Sequence, residues 1–249
     1  NHLLREVSQV RPIPWLETGF TYLLLHLFTF FPVLALSFDR RVRYYRSWHA
    51  LFPAILPVAL LFIGWDVFFT AQGVWGFNER YLTGWSAWHL PMEEWLFFFT
   101  VPFACVFIYE CLNYYLDKDL LKPVEPLLTP VLIVLFFFVG GSHFFRMYTA
   151  TTFWLTGSFL LYHYLFLDGG YRSRFYLAYA VSWLPFLLVN GVLTGGYTEQ
   201  PIVLYNPDEY LGIRLTSIPL DDSVYSFLLL LGVVTLFEHL RKKRRAAAD

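Results

Sequence analysis

Leu90-Pro91-Met92-Glu93-Glu94-Trp95-Leu96-Phe97-Phe98 opens a long apolar run, and Ile218-Pro219-Leu220-Asp221-Asp222 opens another 128 positions later. The echo is wider than these two segments. Asn78, Gly84, Pro91, Glu93, Glu94 and Glu110 recur without a gap as Asn206, Gly212, Pro219, Asp221, Asp222 and Glu238, and Phe99 and Val106 as Phe227 and Val234. With a slip of four, Asp66 and Thr70 fall on Asn190 and Thr194; with one more, Asp39 falls on Asp168. Such a period marks a duplicated unit. It divides the chain into a first three-helix repeat at 18–116, a linker with a fourth helix at 117–145, a second three-helix repeat at 146–240 and a basic tail at 241–249.

What surrounds the repeat fixes its solvent. Hydrophobic residues make up 57% of the 249 positions, with 27 Phe, 17 Tyr and 9 Trp, and charged residues only 15%. That balance excludes an ordinary soluble domain. The apolar stretches predict an all-α integral membrane protein with seven spans: Phe20–Leu36, Ala50–Phe69, Glu94–Tyr115, Leu127–Gly140, Thr149–Leu167, Phe175–Leu193 and Ser223–Leu240. Most approach the ~20 residues a bilayer requires, and the fourth is the shortest. Charge decides in its favour. With seven spans, Arg40, Arg41, Arg43, Arg46, Lys118, Lys122, Arg172, Arg174 and the run Arg241 to Arg245 share one side, leaving Arg5, Arg11, Arg80, Arg146 and Arg214 opposite. The positive-inside rule makes the first side cytoplasmic and places the N-terminus outside, in the plasma membrane. Two three-helix units that enter the membrane in the same sense also need one extra crossing between them. The run from Phe20 reads as a true span rather than a cleavable leader, since no small-residue cleavage site follows it.

The polar residues inside the greasy segments are the candidate site. Each proline of the repeated motif suits a first helical turn, where its missing N–H costs nothing. Glu93, Glu94, Asp221 and Asp222 then stand at helix N-termini. With Asp66 and Asn190 near the outer ends of the second and sixth spans, they converge at one depth. A lone acid at such a position caps N–H groups and complements the helix dipole; two copies in register point to a shared site, because a carboxylate near hydrocarbon is expensive. Adjacent acids that repel when both ionised can hold a shared proton, which suits general acid–base work. Aromatic residues crowd the same depth, Trp65, Trp75, Phe77, Trp95, Phe97, Phe98, Tyr205 and Tyr225 among them. Some form an interfacial belt, and any that line a cavity would stabilise a cation.

Other chemistries find less support. No G-x-G-x-x-G follows a strand pattern, so no dinucleotide or flavin fold is encoded and no cofactor is expected. The four lysines, Lys118, Lys122, Lys242 and Lys243, lie outside the spans, which excludes a retinal Schiff base. The 7 histidines form no metal cluster, and His163 reads as a satisfied core residue. Cys105 and Cys111 sit on different sides of one helix and form neither a disulfide nor a thiol metal site. Asp208, Glu209, Asp221 and Asp222 would suit Mg²⁺ and a diphosphate, but only Arg80 and Arg214 stand near to balance that charge. Glu110 and Glu238, ~25 Å from the motif acids along their helices, read as structural, with Glu238 in reach of Arg241 and Arg245. The run 241–245 is a topology anchor rather than a nucleic-acid site. A small-solute transporter of three-plus-one-plus-three helices shares this architecture, though transport calls for polar groups near the midplane.

Ser37-Phe38-Asp39, Gly73-Val74-Trp75-Gly76-Phe77-Asn78 and the two Pro-x-acid-acid segments resemble the cofactor-independent lycopene β-cyclases, which occur as paired small subunits, as fused chains, or as one domain of fungal bifunctional enzymes. The resemblance runs from about Thr18 onward. It implies that Glu93, Glu94, Asp221 and Asp222 are catalytic, that a carotenoid polyene dissolved in the membrane lipid is the substrate, and that the reaction is redox-neutral. A carboxylic acid protonates the terminal double bond, an internal double bond captures the cation, and a base removes a proton to close a β-ring. Glu93 with Glu94 would form the primary acid–base pair and Asp221 with Asp222 the complementary one. Asn78 and Asn206 would orient them, and Trp95 and Phe98 would support the substrate. A carotenoid 1,2-hydratase, in which water captures the same cation, is the neighbouring alternative.

Overall fold

The computed structural model describes residues 12–167 and 169–246; Asp168, Arg5, Arg11 and the last three residues of the basic tail lie outside the described residues. Seven α-helices carry the fold among them: α1 (Thr21–Leu36), α2 (Trp48–Ala71), α3 (Met92–Tyr115), α4 (Glu125–Ser142), α5 (Met147–Phe166), α6 (Arg172–Leu193) and α7 (Leu220–Ala246). Five of them, α2, α3, α4, α6 and α7, are long and apolar enough to cross a membrane, the short fourth stretch included. At 16 residues α1 is shorter, and the 20-residue α5 carries Thr149, Thr151, Thr152, Thr156 and His163. The outer faces are greasy: Leu127 and Phe138 on α4 and Leu184 on α6 are each about 70% exposed, the pattern of a protein whose solvent is lipid. This is a membrane protein.

The bundle centres on α7, whose Leu229, Leu231, Val233 and Phe237 are fully buried. It packs against α2 and α5, while α3 packs against α1, α2 and α6. Helix α4 lies on α5, and the seam is set by glycine: a Cβ on Gly140 would come within 2.2 Å of Trp154 Cδ1, so only glycine permits this approach. His163 is buried and satisfied by Tyr171 and Arg172, and Cys105 and Cys111 are free thiols. Helix α7 does not stop at Leu240, the expected end of the last span, but runs on through the basic stretch to Ala246.

The loops after α2 and α6 form a lid over one end. Strands β1 (Trp75–Phe77) and β4 (Val203–Tyr205) pair antiparallel across it, Trp75 opposite Tyr205. Two small hairpins follow the same plan: β2 (Ser86–Ala87) with β3 (Leu90–Pro91), and β5 (Arg214–Leu215) with β6 (Ile218–Pro219). Each ends on the motif proline, and its helix begins at the next residue; Pro91 is the N-cap of α3, where no N–H is needed. The amide of Met92 donates to Trp85 O, and that of Leu220 to Ile213 O.

Candidate active site

The hairpins deliver the motif acids into the first turns of α3 and α7, and helical geometry then separates the members of each pair. Consecutive residues project about 100° apart, so the two members of each acid pair point in different directions. Glu94 and Asp222 turn inward, where they line a small cavity of about 60 Å³ beneath β1 and β4 together with Asp66 and Asn190. Glu93 and Asp221 turn toward the loops. Glu93 Oε1 accepts the Thr83 amide at 2.8 Å, and Asp221 accepts the Leu211 amide at 3.1 Å and the Thr149 hydroxyl at 2.5 Å. In both copies the first acid ties down the residue ten positions before it. Of the four motif acids, Glu94 and Asp222 line the cavity, joined there by Asp66 from a third helix, and Glu93 and Asp221 bond the loops.

Tyrosines hold all three of these acids. Tyr22 donates to Glu94 Oε2 at 2.7 Å, Tyr225 to Asp66 Oδ1 at 2.7 Å, and Tyr148 and Tyr205 to the two oxygens of Asp222 at 2.8 and 2.7 Å. None of the described residues lining the cavity is basic; Arg214 instead covers the rings of Tyr205 and Tyr210. Tyr205 stands in the loop strand outside the spans, where burial, and then the charge of Asp222, push its phenol well above the ordinary value. It is therefore a donor to Asp222 and not a phenolate. Trp75, Phe77 and Phe97 supply aromatic faces.

Several expected residues stand elsewhere. Asn78 and Asn206 do not touch the acids. Asn78 donates to Gln200 Oε1 and Pro201 O and caps the amide of Arg80, and Asn206 donates to Gly73 O and caps that of Asp208. Each asparagine stitches one loop to the other, because its own turn consumes its carbonyl oxygen. Trp95 packs on Trp88 at 5.4 Å, away from the cavity. Phe98 is fully buried against Phe62, and Phe97, one position earlier, lines the site. Glu209 serves the loop, accepting the Met147 amide at 2.8 Å. Tyr22 and Tyr148, which hold Glu94 and Asp222, are lining residues that the motif reading missed. They are 126 positions apart, close to the repeat offset, and that spacing is the signal that would have found them.

At the far end of the same helices, Glu110 and Glu238 are structural, as expected. Arg241 bridges both, Nη1 at 2.7 Å from Glu110 and Nη2 at 2.6 Å from Glu238. The Arg245 side chain lies outside the described set.

Comparison with known proteins adds one match. The family model described as lycopene cyclase covers residues 19–112 and 145–240, leaving between its two segments the stretch that holds α4. No curated protein matches the chain, and no solved structure does. With three carboxyl groups from three helices gathered in one aromatic pocket, and a family match that takes in all three, the chain belongs to the lycopene cyclase family of membrane enzymes.

Proposed function

We propose that the protein converts the linear ends of lycopene to β-ionone rings, giving γ-carotene and then β-carotene, by moving protons without net redox. The observation that carries this reading is the gathering of Asp66, Glu94 and Asp222 in one cavity with hydroxyl donors and, among the described residues lining it, no cation. Asp66 and Glu94 line the same cavity, and two carboxyl groups gathered away from a countercharge suit a shared proton, so this reading makes them the proton donor. Asp222, which receives two phenol O–H groups, suits the base.

The steps balance. The donor adds its proton to C2 of the terminal double bond and leaves a cation at C1. The C5=C6 electrons form the C1–C6 bond and move the cation to C5. Removal of the C6 proton by Asp222 then restores the C5=C6 double bond inside the ring. Trp75, Phe77 and Phe97 stabilise the passing cation through their faces. Glu93 and Asp221, whose carboxylates hold Thr83 and Leu211, act as positioning residues.

The same reading includes seven crossings, with α1 and α5 among them, as two parallel three-helix repeats joined by α4. It has the acid cavity at the outer face, the N-terminus outside and the basic end of α7 in the cytoplasm. The matching hairpins at 86–91 and 214–219 support the repeat. The test is expression in a bacterium that accumulates lycopene, followed by chromatography and mass measurement of the pigments. A change from red to orange, with products isomeric with lycopene, is expected. Unchanged lycopene, or products heavier by water, would reject cyclisation.

A further inference from the structure

The acid cavity is flanked by two apolar grooves that are built from corresponding positions of the two halves. The wide one, about 710 Å³, lies between α2, α5 and α7. The narrow one, about 60 Å³, lies between α3, α6 and α7. By size alone the wide groove is the ligand-sized one. Continuity points the other way. Phe97, Asn190 and Ser226 line both the acid cavity and the narrow seam, and Cys105, Tyr179, Ser182 and Leu230 carry the seam on to a further void beside Val106 and Val234. From Phe97 to Val106 this path follows α3 for about 14 Å. The wide groove shares no lining residue with the acid cavity, and it stops at Phe62 and Trp65, whose rings pack on Tyr225 at 5.0 and 5.1 Å.

The two sides differ at matched positions. Phe62, Trp65 and Asp66 correspond, 124 positions later, to Phe186, Val189 and Asn190, and Phe97 corresponds, 128 later, to Tyr225. On the wide side the Tyr225 hydroxyl is tied to Asp66, and Trp65 fills the gap. On the seam side Phe97 has no hydroxyl to tie, and Val189 has no ring. The same positions thus form a wall on one side and a passage on the other. A reacting end must come within ~3–3.5 Å of its catalytic groups, so a chain in the wide groove would have its end on the wrong side of the wall.

We propose that the seam between α3 and α6 binds the linear polyene tail of the substrate, with the ring-forming end at Asp66, Glu94 and Asp222. The identity of the ligand rests on the cyclase reading above. The seam is too narrow for a chain as it stands, so binding parts α6 from α3; on its other face α6 presents exposed residues, Leu184 and Leu188.

The test uses the full-length protein in lipid nanodiscs, a linear isoprenoid polyene analogue carrying a mid-chain diazirine, photolysis and peptide mapping, with ring formation measured separately on lycopene. The expected labels fall on residues 101–108 of α3 and 182–189 of α6, and unlabelled lycopene competes them away. Val189→Trp, which copies the wall, should cut this labelling at least tenfold, and Trp65→Val should not reduce it. Labels confined to residues 57–61 or 155–171, labels that lycopene does not compete, or undiminished labelling in folded Val189→Trp protein would overturn the proposal. The unsubstituted map decides the matter even if that variant fails to fold. Seam labelling without any ring product would reject the cyclase reading and keep the polyene site; ring product with labels in the wide groove would do the reverse.

Discussion

Helices α3 and α7 carry carboxyl groups at both ends, and the two ends treat them differently. At one end Glu110 and Glu238 share Arg241, and Ser47 and Tyr109 complete their hydrogen bonds. At the other, Asp66, Glu94 and Asp222 are buried with tyrosine hydroxyls, and none of the described residues of the cavity wall is basic. Both pairs recur in the sequence at the same offset, so recurrence alone does not separate a fold-building acid from a working one. Countercharge does. A buried carboxyl group without a cation costs stability, and proteins keep such arrangements where function requires them.

This contrast can be broken by substitution. The largest effect should come from Glu94→Gln, which removes the proton but keeps the shape: ring formation should fall by about 10²–10⁴, the range general acid–base catalysis supplies, as read from pigment conversion. Asp66→Asn leaves an acceptor for Tyr225 and should cost activity less than Glu94→Gln. Equal losses would show that the two acids act as one unit. At the opposite end, Arg241→Ala strands two acids and should destabilise the protein by about 1–3 kcal/mol, since the arginine is partly exposed, with the turnover of folded protein unchanged; thermal unfolding in detergent with a parallel conversion assay checks both halves. The smallest effect should be that of Tyr205→Phe. Losing one of the two donors to Asp222 is worth about 1 kcal/mol, so conversion should drop only severalfold, and Tyr148→Phe should match it.

Much of the site was legible because its logic is periodic. Pro91 and Pro219 fix where α3 and α7 begin, and matching hairpins bring Glu94 and Asp222 to the cavity that Asp66 also lines. Four features were not legible. Which of two adjacent acids faces inward depends on the helical phase that the hairpin sets through Thr83 and Leu211, and a Pro-x-acid-acid string does not encode that phase. Choosing Phe98 over Phe97 fails for the same reason: both lie one turn from Glu94, but only Phe97 reaches the cavity. The roles of Asn78 and Asn206 depend on the pairing of β1 with β4, two three-residue strands joined across more than a hundred residues with no local signal. The tyrosines on α1 and α5 were hidden among many others, and only their partners single them out.

The central claim is that the cation-free acids serve chemistry and not the fold. It is tested most directly by measuring ring-forming rate and unfolding temperature on the same preparation of Asp222→Asn protein in lycopene-loaded proteoliposomes. The account predicts a rate at least about a hundredfold below that of the unaltered protein, with an unfolding temperature that is unchanged or higher. A rate close to the unaltered one, or a loss of rate that merely follows a loss of folding, would contradict it.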